Sequence, residues 1–376
     1  MKKILFVLPW LAIGGLERVQ VNLANALIEA GYDVTILTLN PRADLKAELS
    51  PLVHYRYKPY KPHPIGGRIP YIRHRFYDDG MWETRASAKE LYQYYVGDEK
   101  FDVEIGFFRG LSIKIISGST NLRSIKLAWV HSDFKYCEGI ANNFKSMAAV
   151  REAYGKFDHI VCVSDRAKQS FEEVIGLADK TTRIYNLLPA EKIRALGGGD
   201  CPAEKKKTTI CSVGHLAAVK GYDRLIGAVK RLNAEGKELA LWLVGGGEEE
   251  KALRELAAGD ENIRFFGSQP NPYPYMKQAD LYVCSSRYEG FNLTVAEALI
   301  LGCPVLSTDC TGPSEILDSG KYGMICENSE EGLYRGIKEL VEAPNLLRQY
   351  QSKTGERAAF FDADEIVEQV IVLFKY

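Results

Sequence analysis

Residues 3–39, KILFVLPWLAIGGLERVQVNLANALIEAGYDVTILTL, decide the fold of the first half of the chain. The stretch begins with an apolar run, Lys3 to Leu8, and ends with another, Val34 to Leu39. Between them, apolar side chains recur at helical spacing from Gly15 to Ala30, and Gly31 follows as a stop signal. A strand, a glycine turn, a helix and a second strand predict the start of a doubly wound parallel sheet.

The same alternation of strands and helices continues along the 376 residues. It is interrupted at 188–207, where three glycines, Pro202 and a lysine run predict an exposed linker. We therefore predict an α/β chain with Rossmann-like, doubly wound domains at 1–187 and 208–358, followed by a C-terminal helix at 359–376. The further predicted strands are Val103 to Phe107, Ile125 to Val130, His159 to Val163, Thr182 to Tyr185, Thr208 to Val213, Leu239 to Val244, Ile263 to Phe266, Leu281 to Ser285, Val305 to Thr308 and Gly323 to Cys326.

Composition excludes several classes of function. The formal net charge is −1, so the basic surface typical of nucleic-acid binding is absent at the level of the whole chain. The eight cysteines include no C-x-x-C pair, which favours a reducing compartment and argues against a zinc site. No apolar run reaches the roughly 18 residues of a membrane-spanning helix. The first apolar run is too short for a signal peptide, so we expect a cytoplasmic enzyme without a bound metal.

The segment 54–77 differs from the rest of the chain in composition. It carries basic side chains such as Arg56 and Arg73, interleaved with tyrosines such as Tyr60, and contains no Asp or Glu. One interpretation is a solvated surface loop. The other is a patch for an anionic acceptor, such as a lipid phosphate, at a membrane surface, which would bring the enzyme to the inner face of the cytoplasmic membrane.

In each domain, one glycine turn follows the first predicted strand. In the first domain, Gly14-Gly15 allows the backbone to approach a ligand, and the helix that follows favours phosphate at its N-terminus. In the second domain, Gly214 and His215 are followed by Lys220, whose charge at a helix start would attract a diphosphate. The alternatives are an ordinary structural turn for the glycines and an ordinary surface position for the lysine.

The stretch SSRYEGFNLTVAE, residues 285–297, carries the sharpest chemical pattern in the sequence. Glu289 ends a strand-to-helix loop and Glu297 falls in the helix that follows, so both border the crevice at the carboxyl ends of the strands. Carboxylates bind the vicinal hydroxyls of sugars and riboses. The backbone N–H groups of residues 291–293 can bind phosphate oxygens. The alternative is a solvated helix start with favourable acidic charge.

His131 lies at the carboxyl end of a predicted first-domain strand, Ile125 to Val130. A histidine at that position points toward the same kind of crevice. A lone histidine is equally compatible with a structural role.

These motifs together resemble family 4 retaining glycosyltransferases of the GT-B fold, within glycosyl transferases group 1. The resemblance rests on motifs in family order across both domains: Gly14-Gly15-Leu16-Glu17-Arg18, Gly214-His215-Leu216 with Lys220-Gly221, the E-x7-E pair Glu289 and Glu297, Gly302-Cys303-Pro304-Val305 and Gly312-Pro313-Ser314-Glu315-Ile316. It implies two domains that face each other across a cleft, with the nucleotide sugar mainly on the second. It also implies a C-terminal helix that crosses back to the first domain.

The resemblance also implies roles for individual residues. Glu289 would hold hydroxyls of the donor sugar, Glu297 the ribose, and Lys220 the diphosphate, while His131 would lie near the transferred sugar. We therefore predict His131, Glu289 and Lys220 as catalytic residues. The predicted donor-binding residues are Gly15, Gly214, His215, Lys220, Glu289, Gly290, Phe291, Asn292, Leu293 and Glu297, and the predicted acceptor-binding residues are Gly14, Arg109 and Arg73.

The function implied is transfer of a hexosyl unit from a nucleotide-diphosphate sugar, with UDP-hexose or UDP-N-acetylhexosamine favoured, to a saccharide acceptor. The expected acceptor is a lipid-linked or surface-polysaccharide precursor, and no cofactor is expected besides the co-substrate. His215 departs from the family, which often has arginine there, so either Lys220 would bind the diphosphate nearly alone or Arg109 or Arg287 would assist it. The alternatives are a sugar phosphorylase or nucleotide-sugar epimerase of the same fold, and a non-catalytic sugar-nucleotide-binding protein.

Overall fold

The computed structural model describes residues 1–59, 81–137, 139–205, 207–361 and 363–375. The chain divides into two compact units. The first comprises Met1–Leu187 together with Asp364–Tyr376, and the second comprises Leu188–Ala363. Most of the 54–77 segment, including Arg73, lies outside the described residues, so its two interpretations stay predictions.

The first unit is built on a parallel sheet of seven strands in the order β3-β2-β1-β4-β5-β6-β7. The strands are β1 (Lys3–Leu8), β2 (Asp33–Thr38), β3 (His54–Tyr57), β4 (Val103–Gly106), β5 (Ile125–Val130), β6 (His159–Cys162) and β7 (Thr181–Arg183). In β1, Ile4 is opposite Val34 of β2 on one side and Val103 of β4 on the other. These side chains are fully buried, as expected for strands that helices cover on both faces.

The helices of the first unit connect its strands or cover its sheet. They are α1 (Gly15–Glu29), α2 (Met81–Arg85), α3 (Ala88–Tyr95), α4 (Leu111–Ser117), α5 (Met147–Gly155) and α6 (Asp165–Val174). Because β1 lies between β2 and β4, the connections leave β1 and β4 toward opposite sides of the sheet. Their carboxyl ends therefore form a topological switch point, where doubly wound sheets bind ligands.

The second unit repeats this plan with six parallel strands in the order β10-β9-β8-β11-β12-β13. Its elements in chain order are α7 (Ala190–Gly197), β8 (Thr209–Val213), α8 (Tyr222–Ala234), β9 (Ala240–Val244), α9 (Glu250–Ala257), β10 (Ile263–Phe265), α10 (Tyr273–Gln278), β11 (Leu281–Cys284), α11 (Leu293–Ile300), β12 (Val305–Thr308), α12 (Thr311–Ile316), β13 (Met324–Cys326), α13 (Glu330–Glu342) and α14 (Pro344–Ala358). Its switch point lies between β8 and β11. The predicted pair of doubly wound, Rossmann-like sheets is confirmed.

One prediction about local structure is wrong, and one strand was not predicted. The segment 188–207 was expected to be an exposed linker, but it contains α7, which packs in the second unit with Ile193 buried. The flanking glycines and lysines dominate the composition of the segment, so composition does not reveal the apolar face of this short helix. The start of the 54–77 segment forms β3, an edge strand whose side chains are mostly exposed and therefore lack an apolar signal.

The end of the chain, Asp364–Tyr376, belongs to the first unit. The last helix, α15 (Ala363–Val372), buries Ile366 and Val370, and the fully buried Phe374 follows it. The Lys2 ammonium donates to the carbonyl of Phe374 at 2.8 Å, and the rings of Tyr32 and Phe374 meet edge to face at 5.5 Å. Within the described ranges, no helix is both long and apolar enough to span a membrane.

Candidate active site

The second unit brings two sequence motifs together at its switch point. The loop after β8 carries Gly214 and Lys220, and the loop after β11 carries Glu289. Because β8 and β11 are neighbours in the sheet, both loops leave its carboxyl edge side by side. The structure therefore places Lys220 against Glu289, residues that are 69 positions apart in the chain.

Glu289 is held by three donors on one carboxylate oxygen. Its Oε1 accepts from Lys220 Nζ at 2.6 Å, Ser286 Oγ at 2.7 Å and Asn292 Nδ2 at 3.1 Å. The Glu289 side chain is only 13% exposed and that of Lys220 is 27% exposed. A carboxylate bound in this way is fixed in orientation, which suits recognition of hydroxyl groups. It is poorly suited to act as a nucleophile.

Lys220 is fully charged in this arrangement. Burial alone would lower its pKa, but the negative charge of Glu289 and the hydrogen bond to it outweigh burial, so the pKa of Lys220 is raised. A positive charge near a helix start is the feature that binds a diphosphate. In the structure that charge is paired with Glu289, so an incoming diphosphate shares the lysine with this carboxylate.

Hydrogen bonds from side chains to backbone carbonyls hold the two loops together. Ser285 Oγ donates to the carbonyl of Lys220 at 2.8 Å, and Arg224 Nη2 donates to the carbonyl of Ser285 at 2.7 Å. Gly221 has φ +64°, and a Cβ there would lie 2.2 Å from the Ser285 carbonyl oxygen. A residue with a side chain at 221 would therefore push the loops apart.

Arg287 also holds the two loops together. Its guanidinium is already paired with a carboxylate and is therefore not available as an unpaired cation for phosphate. Its guanidinium forms a two-pronged ion pair with Asp223, with N–O distances of 3.0 and 2.7 Å. Its backbone N–H donates to the carbonyl of Val219 at 2.7 Å. Arg287 thus stabilises the path of the chain that presents Lys220.

Asn292 joins Glu289 to the start of α11. It is the N-cap of that helix, with φ +72°, a left-handed conformation that asparagine tolerates better than most residues. Its Oδ1 accepts from the Val295 N–H at 3.1 Å, while its Nδ2 donates to Glu289. The asparagine side chain therefore couples the helix start to the carboxylate. The sequence motif predicted only a backbone role for Asn292.

Glu297 lies inside α11 and is 8% exposed. Its Oε1 accepts from Tyr273 Oη at 3.1 Å, a contact between α11 and α10. The structure therefore separates the two glutamates of the pair: Glu289 in the loop is bound by Lys220, whereas Glu297 is anchored by a tyrosine. The predicted ribose contact of Glu297 stays a prediction.

The remaining predicted donor residues surround these loops. A Cβ on Gly214 would lie 2.9 Å from Tyr222 Oη, so the close approach requires glycine. His215 is exposed and its Nε2 lies 2.7 Å from Glu248 Oε2. Phe291 buries its ring, which leaves its backbone as the part that could meet a phosphate. A Cβ on Gly312 would lie 2.2 Å from the carbonyl oxygen of Phe291, so this turn packs backbone against backbone.

In the first unit, His131 follows β5 directly. Its Nε2 lies 3.0 Å from the carbonyl of Phe107, and since a carbonyl only accepts, Nε2 carries the proton. Its Nδ1 is buried and has no partner among the described residues, although part of the ring is accessible. Burial lowers the pKa of His131 to about 3, against the effect of the Phe107 bond. His131 is thus a neutral hydrogen-bond acceptor at pH 7.

Two predicted acceptor residues lie at the same carboxyl edge of the first sheet. Arg109, in the loop after β4, is exposed and its Nη1 donates to Ser132 Oγ at 3.2 Å. Gly14 is the N-cap of α1, and its carbonyl accepts the first helical hydrogen bond, from Arg18 N, at 3.1 Å. Gly15 begins α1. No cluster of three metal-binding side chains occurs in the described parts of the chain.

The chain is similar in sequence to known glycosyltransferases. Residues 200–358 match the family model described as glycosyl transferases group 1, and this range contains the Lys220–Glu289 site. An uncharacterized glycosyltransferase of Haemophilus influenzae is 26% identical over 392 residues, which cover 98% of this chain and 99% of that protein.

Two further similarities bear on fold and substrate. The N-acetylgalactosamine-N,N'-diacetylbacillosaminyl-diphospho-undecaprenol 4-alpha-N-acetylgalactosaminyltransferase of Campylobacter jejuni is 28% identical over 61% of this chain and 64% of its own length. The structure of Anabaena HepE in complex with UDP and glucose matches with a TM-score of 0.76 at 18% identity, covering 99% of this chain and 98% of that chain. The structural similarity shows the GT-B fold.

Proposed function

We propose that this chain, which matches the glycosyl transferases group 1 model at residues 200–358 and has the GT-B fold, transfers a hexosyl unit, with retention at the anomeric carbon, from a nucleotide-diphosphate sugar to a saccharide acceptor. The observation that carries this proposal is the Lys220–Glu289 pair at the switch point of the second unit. The pair combines one cation for a diphosphate with one oriented carboxylate for hydroxyl groups.

The donor is assigned to the second unit. Lys220 and the start of α11 bind the diphosphate, Glu289 binds hydroxyls of the transferred sugar, and Glu297 binds the ribose. A UDP-sugar is the favoured donor, and the UDP present in the HepE complex supports that choice. The proposal gives Lys220 and the helix N–H groups the stabilisation of the leaving group, so turnover is expected to persist in EDTA.

The proposed reaction assigns a step to each of these groups. The bond between the anomeric carbon and the diphosphate oxygen breaks, and negative charge develops on the leaving diphosphate. Preorganised positive groups stabilise that charge without further rearrangement. The acceptor oxygen bonds to the anomeric carbon on the same face, and its proton passes to the leaving phosphate oxygen. Glu289 is not assigned as a nucleophile because three donors already bind its Oε1.

The acceptor is assigned to the first unit, which carries His131, Arg109 and the Gly14-Gly15 turn. A lipid-linked or surface-polysaccharide precursor is the favoured class. The printed name of the Campylobacter relative, which acts on a saccharide linked to diphospho-undecaprenol, supports it. Such an acceptor would bring the enzyme to the surface of a membrane.

The proposal is tested with a panel of nucleotide sugars and the full chain. A thermal shift identifies the nucleotide that binds, and release of nucleoside diphosphate identifies the sugar that reacts. We expect one UDP-sugar both to raise the Tm and to release nucleoside diphosphate. Inorganic phosphate replacing the saccharide acceptor would indicate a phosphorylase, and a product still attached to nucleotide would indicate an epimerase. Binding without turnover, equal in wild type and Lys220→Ala, would indicate a non-catalytic binding protein.

A further inference from the structure

Trp10 is a large aromatic side chain that lies exposed in the loop between β1 and α1. Its side chain is 41% exposed, and the nearby Ile13 is 66% exposed. The loop leaves the carboxyl end of β1 at the switch point of the first sheet, and Trp10 precedes Gly14 by four positions. Exposed apolar side chains of this size next to a ligand-binding edge point to a ligand with an apolar surface.

The indole of Trp10 is held in a fixed orientation. Its Nε1 donates to Glu17 Oε1 at 2.8 Å. Glu17 lies in the first turn of α1 and is 8% exposed, so it is a buried carboxylate whose position is determined by packing. A Cβ on Gly14 would lie 2.2 Å from Glu17 Oε2, and glycine at 14 is therefore what lets the carboxylate reach the indole.

The rest of the loop is anchored by backbone contacts. The N–H of Leu11 donates to the carbonyl of Arg42 at 2.9 Å, and the N–H of Leu45 donates to the carbonyl of Leu11 at 3.1 Å. The N–H of Ile13 donates to Asp44 Oδ2 at 3.3 Å. The loop and its tryptophan are thus preorganised, which lowers the entropy that a ligand must overcome on binding.

The chemistry of this surface matches a sugar ring. A pyranose has an edge of hydroxyl groups and faces of C–H groups, and a rigid aromatic ring supplies apolar area for such a face. The polar partners lie at the same edge of the sheet: Arg109 follows β4, and the unpartnered Nδ1 of His131 follows β5. Strands β1 and β5 flank β4, so they are about 10 Å apart, two strand spacings.

We propose that Trp10 is the stacking platform for a pyranose ring of the acceptor, and that Glu17 is the positioning residue that holds the indole in place. The inference rests on the proposed function and adds to it a saccharide subsite in the loop between β1 and α1. The proposed subsite also explains why the Glu17 carboxylate is buried beside Gly14, because in that position it orients the Trp10 indole.

The test observes Trp10 directly in the full chain labelled with fluorotryptophan. The Trp10 signal in the fluorine NMR spectrum is assigned by its loss in Trp10→Phe. Methyl glycosides of glucose, galactose, mannose, N-acetylglucosamine and N-acetylgalactosamine are then titrated in the presence of UDP. We expect at least one glycoside to shift the Trp10 signal, while the signals of the buried Trp129 and Trp242 stay in place.

Variants separate stacking from structure. Trp10→Ala should weaken binding of that glycoside about tenfold, and Trp10→Phe should retain part of the affinity. Glu17→Ala should broaden the Trp10 signal and weaken binding, while Glu17→Gln, whose amide oxygen can still accept from the indole, should restore it. Leu122→Ala removes a side chain of the same unit that is 93% exposed and should bind as the wild type does.

Two results would overturn the inference: a Trp10 signal that no glycoside moves, or a Trp10→Ala variant that binds glycosides like the wild type. Failure of the proposed function gives a different pattern. In that case the wild type shows no thermal shift with any nucleotide sugar, a readout that depends on the second unit. If no glycoside moves the Trp10 NMR signal but a UDP-sugar gives a clear thermal shift, the acceptor subsite alone is rejected.

Discussion

At the scale of single residues, Lys220 carries the largest expected effect on turnover. Lys220→Ala should lower kcat about 10²- to 10³-fold, because removing one preorganised group that stabilises developing charge has a cost of this size. The measurement is release of nucleoside diphosphate from the donor found in the panel. Lys251→Ala, which removes an exposed lysine on α9, serves as the matched control and should keep wild-type turnover. Equal rates for both variants would contradict the role of Lys220.

Ser286 and Asn292 show what the sequence could not predict about this residue cluster. The spacing of Glu289 and Glu297 indicated a carboxylate pair at a helix start, and Glu289 does lie at the switch point. That three donors converge on one oxygen of Glu289 depends on the path of two loops, one from β8 and one from β11. Nothing in the spacing of a single motif reports which of its side chains a second loop will contact.

His131 should make stability depend on pH. Its pKa in the folded protein is about 3, below the ordinary value of 6.5, so between these values the unfolded chain binds a proton that the folded chain does not. The stabilisation is therefore complete above pH 6.5 and is lost as the pH falls toward 3. His131→Gln should show a smaller drop in Tm than the wild type between pH 7.5 and 5, measured by calorimetry. An unchanged drop would show that His131 is not buried as a neutral ring.

At the scale of elements, the start of α11 couples stability to activity. Asn292→Ala should lower the free energy of unfolding by about 1–2 kcal/mol, because it removes an N-cap and places alanine in a left-handed conformation. It should also lower turnover, since Glu289 loses one donor. Asn292→Gly keeps the backbone conformation and should lose activity with a smaller loss of stability.

The matched control for this helix is Ser329, which caps α13. Ser329 Oγ accepts from the Gly332 N–H at 3.0 Å and touches none of the site residues described above. Ser329→Ala should lower stability by about 1 kcal/mol and leave turnover unchanged. Urea unfolding and donor turnover, measured on all three variants, check the prediction. If Ser329→Ala lost as much activity as Asn292→Ala, the effect would come from stability alone.

The strands and helices of this fold differ in how well they can be predicted from the sequence. β1 and β5 consist mainly of apolar residues and were predicted at their observed bounds. β3 was missed because an exposed edge strand has no apolar face to show in its four residues. The helix α7 was missed because Ile193 is its main buried apolar side chain, and the surrounding glycines and lysines suggested a linker. Short elements at the margin of a sheet thus depend on tertiary contacts that local patterns do not contain.

At the scale of the whole molecule, the two units repeat one plan with different chemistry at the switch point. In the second unit, the loops after β8 and β11 present a partly buried ion pair, Lys220 and Glu289. In the first unit, the loops after β1, β4 and β5 present an indole, an exposed guanidinium and a neutral imidazole. A diphosphate needs a fixed positive charge, whereas a neutral saccharide needs apolar area and hydrogen-bonding groups. The proposed assignment of the donor to the second unit rests on the Lys220–Glu289 pair. The proposed assignment of the acceptor to the first unit rests on the aromatic and hydrogen-bonding groups at its switch point.

The same division predicts that the end of the chain stabilises the first unit without affecting donor binding. Phe374 is fully buried against Tyr32, so Phe374→Ala should lower the stability of the first unit by about 3–5 kcal/mol. Hydrogen exchange should show faster exchange in residues 1–187, while the affinity for UDP, which the proposed function assigns to the second unit, stays within about twofold. Phe360→Ala, which truncates a ring that is 53% exposed, is the control. Slow exchange in residues 1–187 of Phe374→Ala would contradict the assignment of this segment to the first unit.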